Sequence, residues 1–216
     1  MGGYRLDAEL GMICDELEII IYDIIYADPP WSYYNDMTAS TDCTTVKEVR
    51  RPPYPIMSNK NIKTIPISKI ANKDAVLLIW TTDYHLSKCL DVITHWGFTY
   101  KTVGFVWQKL NKSGSPVCFT GAYTLKSGCE LCLLATKGNT KGWVRDRKIR
   151  ALVQSERQKH SKKPDSIRDD IVSLFGDRKR IELFARNYTE GWDVHGNDVE
   201  GIDETKDEFA WKTISV

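Results

Sequence analysis

A strand that runs into two prolines is the feature that most constrains the fold of this chain. Residues 19–26 form a nearly continuous run of strand-forming residues, which predicts a strand buried on both faces. The run leads into Asp28-Pro29-Pro30-Trp31. Because proline cannot donate to a sheet and has a fixed φ, the strand is expected to end here in a rigid loop. Ligands of open α/β sheets bind at the carboxyl ends of strands, so these four residues are predicted to lie at a binding site.

The chemistry of this loop suits a planar group that carries an amine, such as adenine. Asp28 and the carbonyl of Pro29 can accept the two hydrogens of the amine, while the indole of Trp31 stacks on the base. The lone pair of the amine would then be aimed at an electrophile. The alternative is a turn that only closes the strand. The buried strand before the loop and the tryptophan within it favour a catalytic loop.

The remainder of the chain alternates between strand and helix patterns, which is typical of an α/β fold. Its 216 residues suffice for one domain with a substantial core. Further strands are predicted at 75–82, 98–109, 129–136 and 180–185. Helices are predicted at 84–96, with Gly97 as the stop, and after Pro164. The segments 32–60 and 110–128 are predicted to be loops on the binding side of the sheet. We expect residues 1–201 to form the domain and residues 202–216 to be a mobile tail.

Composition excludes several classes of protein. No apolar run approaches the roughly 18 residues of a membrane span, and no signal peptide precedes the first strand. The six cysteines have no disulfide-framework spacing, so a reduced, cytoplasmic protein is expected. Cys129 and Cys132 have the spacing of half a zinc site, but no second pair follows, and we interpret them as core residues rather than metal ligands.

The charge of the chain is segregated. Residues 141–163 contain nine Lys and Arg residues and two acids, a net charge of +7 on a protein whose total is +1. Residues 190–208 contain eight acids and one lysine. A basic segment of this kind is typical of a contact with a phosphate backbone, and a solvated charged loop is the open alternative.

The motifs resemble the adenine-N(6) methyltransferases related to the eukaryotic messenger-RNA methyltransferase, the MT-A family, which has many bacterial and phage DNA-modifying members. The resemblance extends from about residue 13 to residue 201. Besides Asp-Pro-Pro-Trp, the blocks that carry it are, in family order, 54–57 (Tyr-Pro-Ile-Met), 78–81 (Leu-Ile-Trp-Thr), 96–98 (Trp-Gly-Phe), 106–109 (Val-Trp-Gln-Lys), 130–138 (Glu-Leu-Cys-Leu-Leu-Ala-Thr-Lys-Gly), 163–165 (Lys-Pro-Asp), 180–186 (Arg-Ile-Glu-Leu-Phe-Ala-Arg) and 191–197 (Gly-Trp-Asp-Val-His-Gly-Asn).

The resemblance implies a Rossmann-like sheet with helices on both faces and S-adenosylmethionine as methyl donor. It also implies a circularly permuted order, in which the catalytic motif precedes the donor motif. This fits the lack of a Gly-x-Gly-x-x-Gly fingerprint. The family's catalytic positions are Asp28, Pro29, Pro30 and Trp31.

The family's donor site maps onto residues from both ends of the chain. The implied set is Asp15, Asp28, Lys163, Glu182, Leu183, Phe184, Arg186, Asn197 and Asp198. Lys163 matches a position near the donor carboxylate, where a cation makes physical sense. Glu182 and Arg186 match positions around the donor ribose, and Asp15 matches a position near the donor adenine. Asn197 and Asp198 match the pair that helps to hold the nucleoside. The chain departs from its relatives at Tyr188-Thr189 and at His195, to which we assign no role.

The substrate implied by the resemblance is DNA. Since a paired base hides its amine, a duplex would require base flipping. The predicted nucleic-acid contacts are Tyr33, Lys109, Lys126, Lys141, Arg145, Arg147, Lys148 and Arg150. Lys126 lacks the bidentate geometry of the arginine that many relatives carry there. RNA methylation is one alternative. A non-catalytic partner subunit is another, although such subunits lose the acid or the aromatic of the motif and this chain keeps both. A homodimer or heteromer is plausible from the family.

Overall fold

The structure is a computed structural model, which describes residues 20–32, 56–121, 123–158 and 162–196. Its strands are β1 Tyr22–Ala27, β2 Ala71–Thr81, β3 Thr99–Leu110, β4 Cys118–Thr120, β5 Leu125–Ser127, β6 Cys129–Lys137, β7 Leu152–Glu156, β8 Arg180–Leu183 and β9 Asp193–His195. Its helices are α1 Asn59–Thr64, α2 Ile67–Ile70, α3 Leu86–His95 and α4 Ser166–Phe175, with a 3₁₀ turn at Asp83–His85.

Seven strands form one mixed sheet in the order β7-β3-β6-β2-β1-β8-β9, and β4 pairs with β5 in a separate hairpin. Strand β6 is antiparallel to both of its neighbours, whereas the other pairs are parallel. Strands β1, β2 and β8 therefore end at the same edge of the sheet, which we call the carboxyl edge. The motif at residues 28–31 lies at this edge.

Apolar cores cover both faces of the sheet. On one face, α1, α2 and α3 bury residues such as Ile62, Ile93 and Trp96. On the other, α4 buries Ile167 and Ile171 together with neighbours from the sheet. Successive residues of β1 point to opposite faces, and both sets are buried, as the continuous apolar run predicted. The predicted Rossmann-like α/β sheet with helices on both faces is therefore confirmed.

The end of α3 illustrates how sequence fixes local structure. Gly97 has φ 82°, a conformation that favours glycine, and follows the last turn of the helix. The amide of Gly97 donates to the carbonyl of Thr94 at 3.0 Å, and that of Phe98 donates to Ile93 at 3.0 Å. These bonds satisfy carbonyls that the helix end leaves without partners. The predicted helix stop at Gly97 is confirmed.

Several predicted boundaries differ from the structure. The first strand begins at Tyr22 rather than at residue 19. The prediction that 110–128 is a loop was wrong, because β4 and β5 form a hairpin there. Within the basic segment, β7 is an edge strand that pairs with β3. Its half-buried residues Val153 and Ser155 alternate with exposed ones, as in a strand with one covered face. Part of the basic segment is therefore a strand, and not the solvated charged loop that was the alternative to a phosphate contact.

Other predictions lie outside the described residues: most of the segment 32–60, the two ends of the predicted domain and the tail 202–216. Within the described parts, no helix is both long and apolar enough to cross a membrane. Four cysteines are described there, and all four are free thiols. Over the same residues, no group of three His, Cys, Asp or Glu side chains is arranged to hold a metal ion.

Candidate active site

The Asp-Pro-Pro-Trp loop is held from several directions. The amide of Asp28 donates to the carbonyl of Leu183 in β8 at 3.3 Å, and the Met57 amide donates to the carbonyl of Pro30 at 2.9 Å. The Trp31 amide donates to the Pro29 carbonyl at 2.9 Å, and its indole Nε1 donates to the Trp80 carbonyl of β2 at 2.9 Å. Each proline carbonyl keeps a second lone pair for a ligand.

A line of alternating charges starts at Asp28. Its Oδ2 accepts from Nζ of Lys163 at 2.6 Å, and the same Nζ lies 2.9 Å from Oε2 of Glu130. The other carboxylate oxygen of Glu130 accepts from Lys109. The side chains of Lys163 and Glu130 are 7% and 11% exposed, whereas that of Asp28 is 23% exposed. Asp28 is therefore the carboxylate through which this buried ion-pair network reaches solvent.

The network favours the charged forms of Glu130 and Lys163. Burial alone would raise the pKa of Glu130, but the charges of Lys163 and Lys109 outweigh it and hold that pKa below its ordinary value. Burial would lower the pKa of Lys163, but Asp28 and Glu130 raise it above its ordinary value. A carboxylate fixed beside a permanent cation is a preorganised acceptor for an N–H group.

Glu182 lies next to this site in β8, opposite Tyr26 of β1. Both of its carboxylate oxygens accept from Arg168 of α4, each at 2.6 Å. Burial raises the pKa of Glu182 above its ordinary value, although Arg168 opposes the shift. The bidentate pair joins α4 to the sheet, and it leaves Glu182 its second lone pairs as acceptors.

The backbone after β8 turns sharply at the carboxyl edge. Phe184 has φ 61°, a conformation that is strained for a bulky side chain. The next residue, Ala185, donates to the carbonyl of His195 at 3.0 Å, and a Cβ on Gly196 would lie 2.0 Å from the Ala185 carbonyl oxygen. Strain of about 1–3 kcal/mol is typically retained at functional sites. Phe184 directly follows the carbonyl that binds Asp28.

The structure brings some of the predicted site residues together. Asp28, Lys163, Glu182, Leu183 and Phe184 are neighbours at the carboxyl edge. Arg186 follows them and is half-buried. Asp15, Tyr33, Asn197 and Asp198 lie outside the described residues.

The predicted nucleic-acid contacts are spread more widely. Lys109 is paired with Glu130, and Lys126 of the hairpin is paired with Asp83. The exposed residues Lys141, Arg145, Arg147, Lys148 and Arg150 begin at the edge opposite the loop. There the Arg145 amide donates to the Leu174 carbonyl at the end of α4. Arg145 therefore lies near the edge of the sheet opposite Asp28, whereas Arg150 lies two residues before β7, whose first residue pairs with Val106 of β3.

Sequence reasoning assigned no role to Glu130, Arg168 or His85, which the structure places at or beside the site. Glu130 has a readable signal, since it is a carboxylate within a mostly apolar strand. His85 precedes α3 with i, i+4 spacing to the buried Cys89, so its burial was also readable. The partner of Arg168 lies on a different element and leaves no local signal.

Comparison with known proteins agrees with this geometry. Residues 22–198 match MT-A70. The chain is 35% identical over 190 residues to the Type II methyltransferase M.MunI of a Mycoplasma species, covering 82% of this chain and 78% of that protein. It is 28% identical over 185 residues to the N(6)-adenosine-methyltransferase subunit METTL3 of Danio rerio, covering 84% of this chain and 28% of that protein. It is 27% identical over 191 residues to the N(6)-adenine-specific methyltransferase METTL4 of Mus musculus, covering 82% of this chain and 37% of that protein. The chain therefore belongs to the MT-A70 family and is a methyltransferase of that family.

Proposed function

We propose that this protein transfers a methyl group from S-adenosylmethionine to the exocyclic N(6) amine of adenine in DNA. The observation that carries the proposal is the half-buried Asp28 carboxylate, fixed at the end of a buried strand and hydrogen-bonded to the buried Lys163. The likeness to a Type II methyltransferase over most of both chains supports a DNA substrate.

The donor set at the carboxyl edge fits S-adenosylmethionine. Its amino acid end carries a cationic amino group and a carboxylate, and Asp28 and Lys163 offer the complementary charges beside one another. We assign the ribose to Glu182 and Arg186, and the neighbouring backbone contacts to Leu183 and Phe184. Asp15, Asn197 and Asp198 complete the proposed site. When bound, the donor supplies an electrophilic methyl group on a positively charged sulfur.

The residues of the loop would orient the amine for attack. Lys163 occupies Oδ2 of Asp28, so we assign Oδ1 to one N–H of the amine. The second lone pair of the Pro29 carbonyl takes the other N–H. Accepting both hydrogens localises the lone pair on nitrogen and directs it at the methyl group. Forming the N–C bond would break the bond between the methyl carbon and the donor sulfur, which keeps the electron pair as a neutral thioether. The proton that the methylated amine loses would pass first to Asp28.

We propose two roles for the indole of Trp31. Trp31 is buried, and the imidazole of His85 is stacked against one face of its indole. The indole therefore serves first to hold the loop, through Nε1 and this stack. We assign its remaining face to the extruded adenine.

The family resemblance adds the permuted order of motifs, a possible homodimer or heteromer, and an intracellular location where DNA is present. RNA is the second candidate substrate. It is favoured by relatives such as the N6-methyladenosine RNA methyltransferase MTA1 of Pyricularia oryzae, which is 28% identical over 189 residues.

The proposal is tested by incubating the pure protein with donor labelled in its methyl group and separating DNA and RNA pools. Incorporation into DNA that exceeds incorporation into RNA supports the assignment. Incorporation into RNA alone transfers the proposal to RNA. Donor binding without incorporation into either polymer indicates a partner subunit and overturns it.

A further inference from the structure

His85 is a fully buried histidine that lies against the catalytic loop without belonging to its motif. It ends the 3₁₀ turn that follows β2. One ring nitrogen, Nε2, is 3.0 Å from the carbonyl oxygen of Ser32, the residue directly after Trp31. The other, Nδ1, is 2.9 Å from Oγ1 of Thr82 at the end of β2. The ring therefore bridges a strand end and the loop.

The two partners define the form of the ring. A carbonyl oxygen can only accept, so Nε2 carries the hydrogen and donates to Ser32. In the neutral ring, Nδ1 then accepts from the hydroxyl of Thr82. Burial lowers the pKa of His85 below its ordinary value, although the bond to Ser32 opposes the shift. The ring is thus neutral near pH 7, with both nitrogens used.

The ring also packs against the tryptophan of the loop. The His85 and Trp31 rings are stacked with centroids 5.8 Å apart and an angle of 18° between planes. The edge of Tyr84 is packed on the same imidazole at 4.9 Å. His85 therefore contacts the loop twice, once through the Ser32 backbone and once through the Trp31 indole. Each contact lies within four residues of Asp28.

We propose that His85 is a positioning residue, which holds the backbone and indole of the Asp-Pro-Pro-Trp loop in the geometry that methyl transfer requires. The expected effect of His85 on the rate of methyl transfer rests on the proposed function. Its expected effect on the stability of the loop does not. Lys163 holds one end of the loop at Asp28, and His85 holds the other end at Ser32. A small misplacement of reacting groups costs about 10²-fold in rate, so loss of one pin affects turnover.

Three variants separate the two contacts from ordinary packing. His85→Phe keeps a ring against Trp31 and removes both hydrogen bonds. His85→Gln keeps an amide that can donate to Ser32 and removes the ring. Val92→Ala in α3 is the matched control, because Val92 is fully buried in the same core without a hydrogen bond to the loop.

The first measurement is amide hydrogen exchange at Asp28, Trp31 and Ser32, which does not depend on activity. We expect His85→Phe to accelerate exchange at these three amides by about tenfold or more, as a local opening of the loop does. In Val92→Ala, the ratio of exchange at these amides to exchange in the rest of the sheet should stay as in wild type. Equal exchange in wild type and His85→Phe overturns the inference, even if the protein methylates nothing.

The second measurement is steady-state kinetics below the unfolding temperature of all variants. We expect His85→Phe to lower kcat at least about tenfold with a donor KM within about threefold of wild type, and His85→Gln to recover part of the loss. If kcat falls no further than in Val92→Ala, His85 is a packing residue only. Absence of activity in wild type would instead refute the proposed function.

Discussion

Nζ of Lys163 donates to Oδ2 of Asp28 at 2.6 Å, although the two residues are 135 positions apart in the sequence. The bond joins the carboxyl end of β1 to the segment that leads into α4. It places a buried cation behind the carboxylate that we assign to the substrate amine. Two distant parts of the chain are thus joined at the point where chemistry is proposed.

Lys163→Met should destabilise the protein by about 3–5 kcal/mol, because it leaves Asp28 and Glu130 without their shared buried cation. Urea unfolding followed by circular dichroism measures the change. Lys162→Met is the control, since Lys162 is partly exposed and pairs with the exposed Asp165, and such pairs contribute about 0–1 kcal/mol. Similar losses in both variants would argue against a buried network.

Arg168→Lys should cost about 1–3 kcal/mol, because lysine cannot reproduce the two parallel bonds to Glu182. If Glu182 holds the donor ribose, donor affinity measured by calorimetry should also fall. Asp177→Asn is the control, because Asp177 is the exposed partner of Arg180. It should leave both the stability and the donor affinity nearly unchanged. Loss of stability without loss of donor affinity would remove Glu182 from the donor site.

The stability of the protein should fall as pH falls through 6.5, in part because of His85. Its pKa is lowered below the ordinary value of 6.5, so the unfolded ring binds a proton at a pH where the folded ring is still neutral. The unfolded state then gains protons first and is favoured in acid. Urea unfolding between pH 7.5 and 5.5 should show a weaker pH dependence in His85→Phe. Superimposable pH profiles would contradict this.

Arg147 and Lys148 are exposed side chains of the basic segment, and neither belongs to the ion-pair network around Asp28. The double change Arg147→Gln/Lys148→Gln should weaken DNA binding and lower the slope of log affinity against log salt by about 2, with kcat unchanged. Fluorescence anisotropy with a duplex at several salt concentrations measures both. An unchanged slope would exclude these two residues from the interface.

The sequence patterns correctly predicted the elements that depend on neighbouring residues, such as a buried strand or a helix end. The continuous apolar run produced a strand buried on both faces, and Gly97 ended α3 as its position indicated. The loop 110–128 was mispredicted, because the hairpin within it is short and its side chains are mostly exposed. Because strands this short bury few side chains, their sequences show little of the apolar and polar alternation that predicts a strand.

The candidate site was predictable only in part. Asp28 and Lys163 were named from motifs, and the structure brings them together. Their link through Glu130 and the pairing of Glu182 with Arg168 join residues on different elements. Such pairings depend on the register and order of strands, which no local spacing encodes.

The most direct test is the appearance of N(6)-methyladenine in DNA, measured by mass spectrometry after incubation with S-adenosylmethionine. The wild-type protein should produce it, and Asp28→Asn, in a protein that circular dichroism shows to be folded, should lower the rate by at least about 10²-fold, since it removes the charge that accepts the amine hydrogen. Near-normal turnover by a folded Asp28→Asn protein would contradict the central claim.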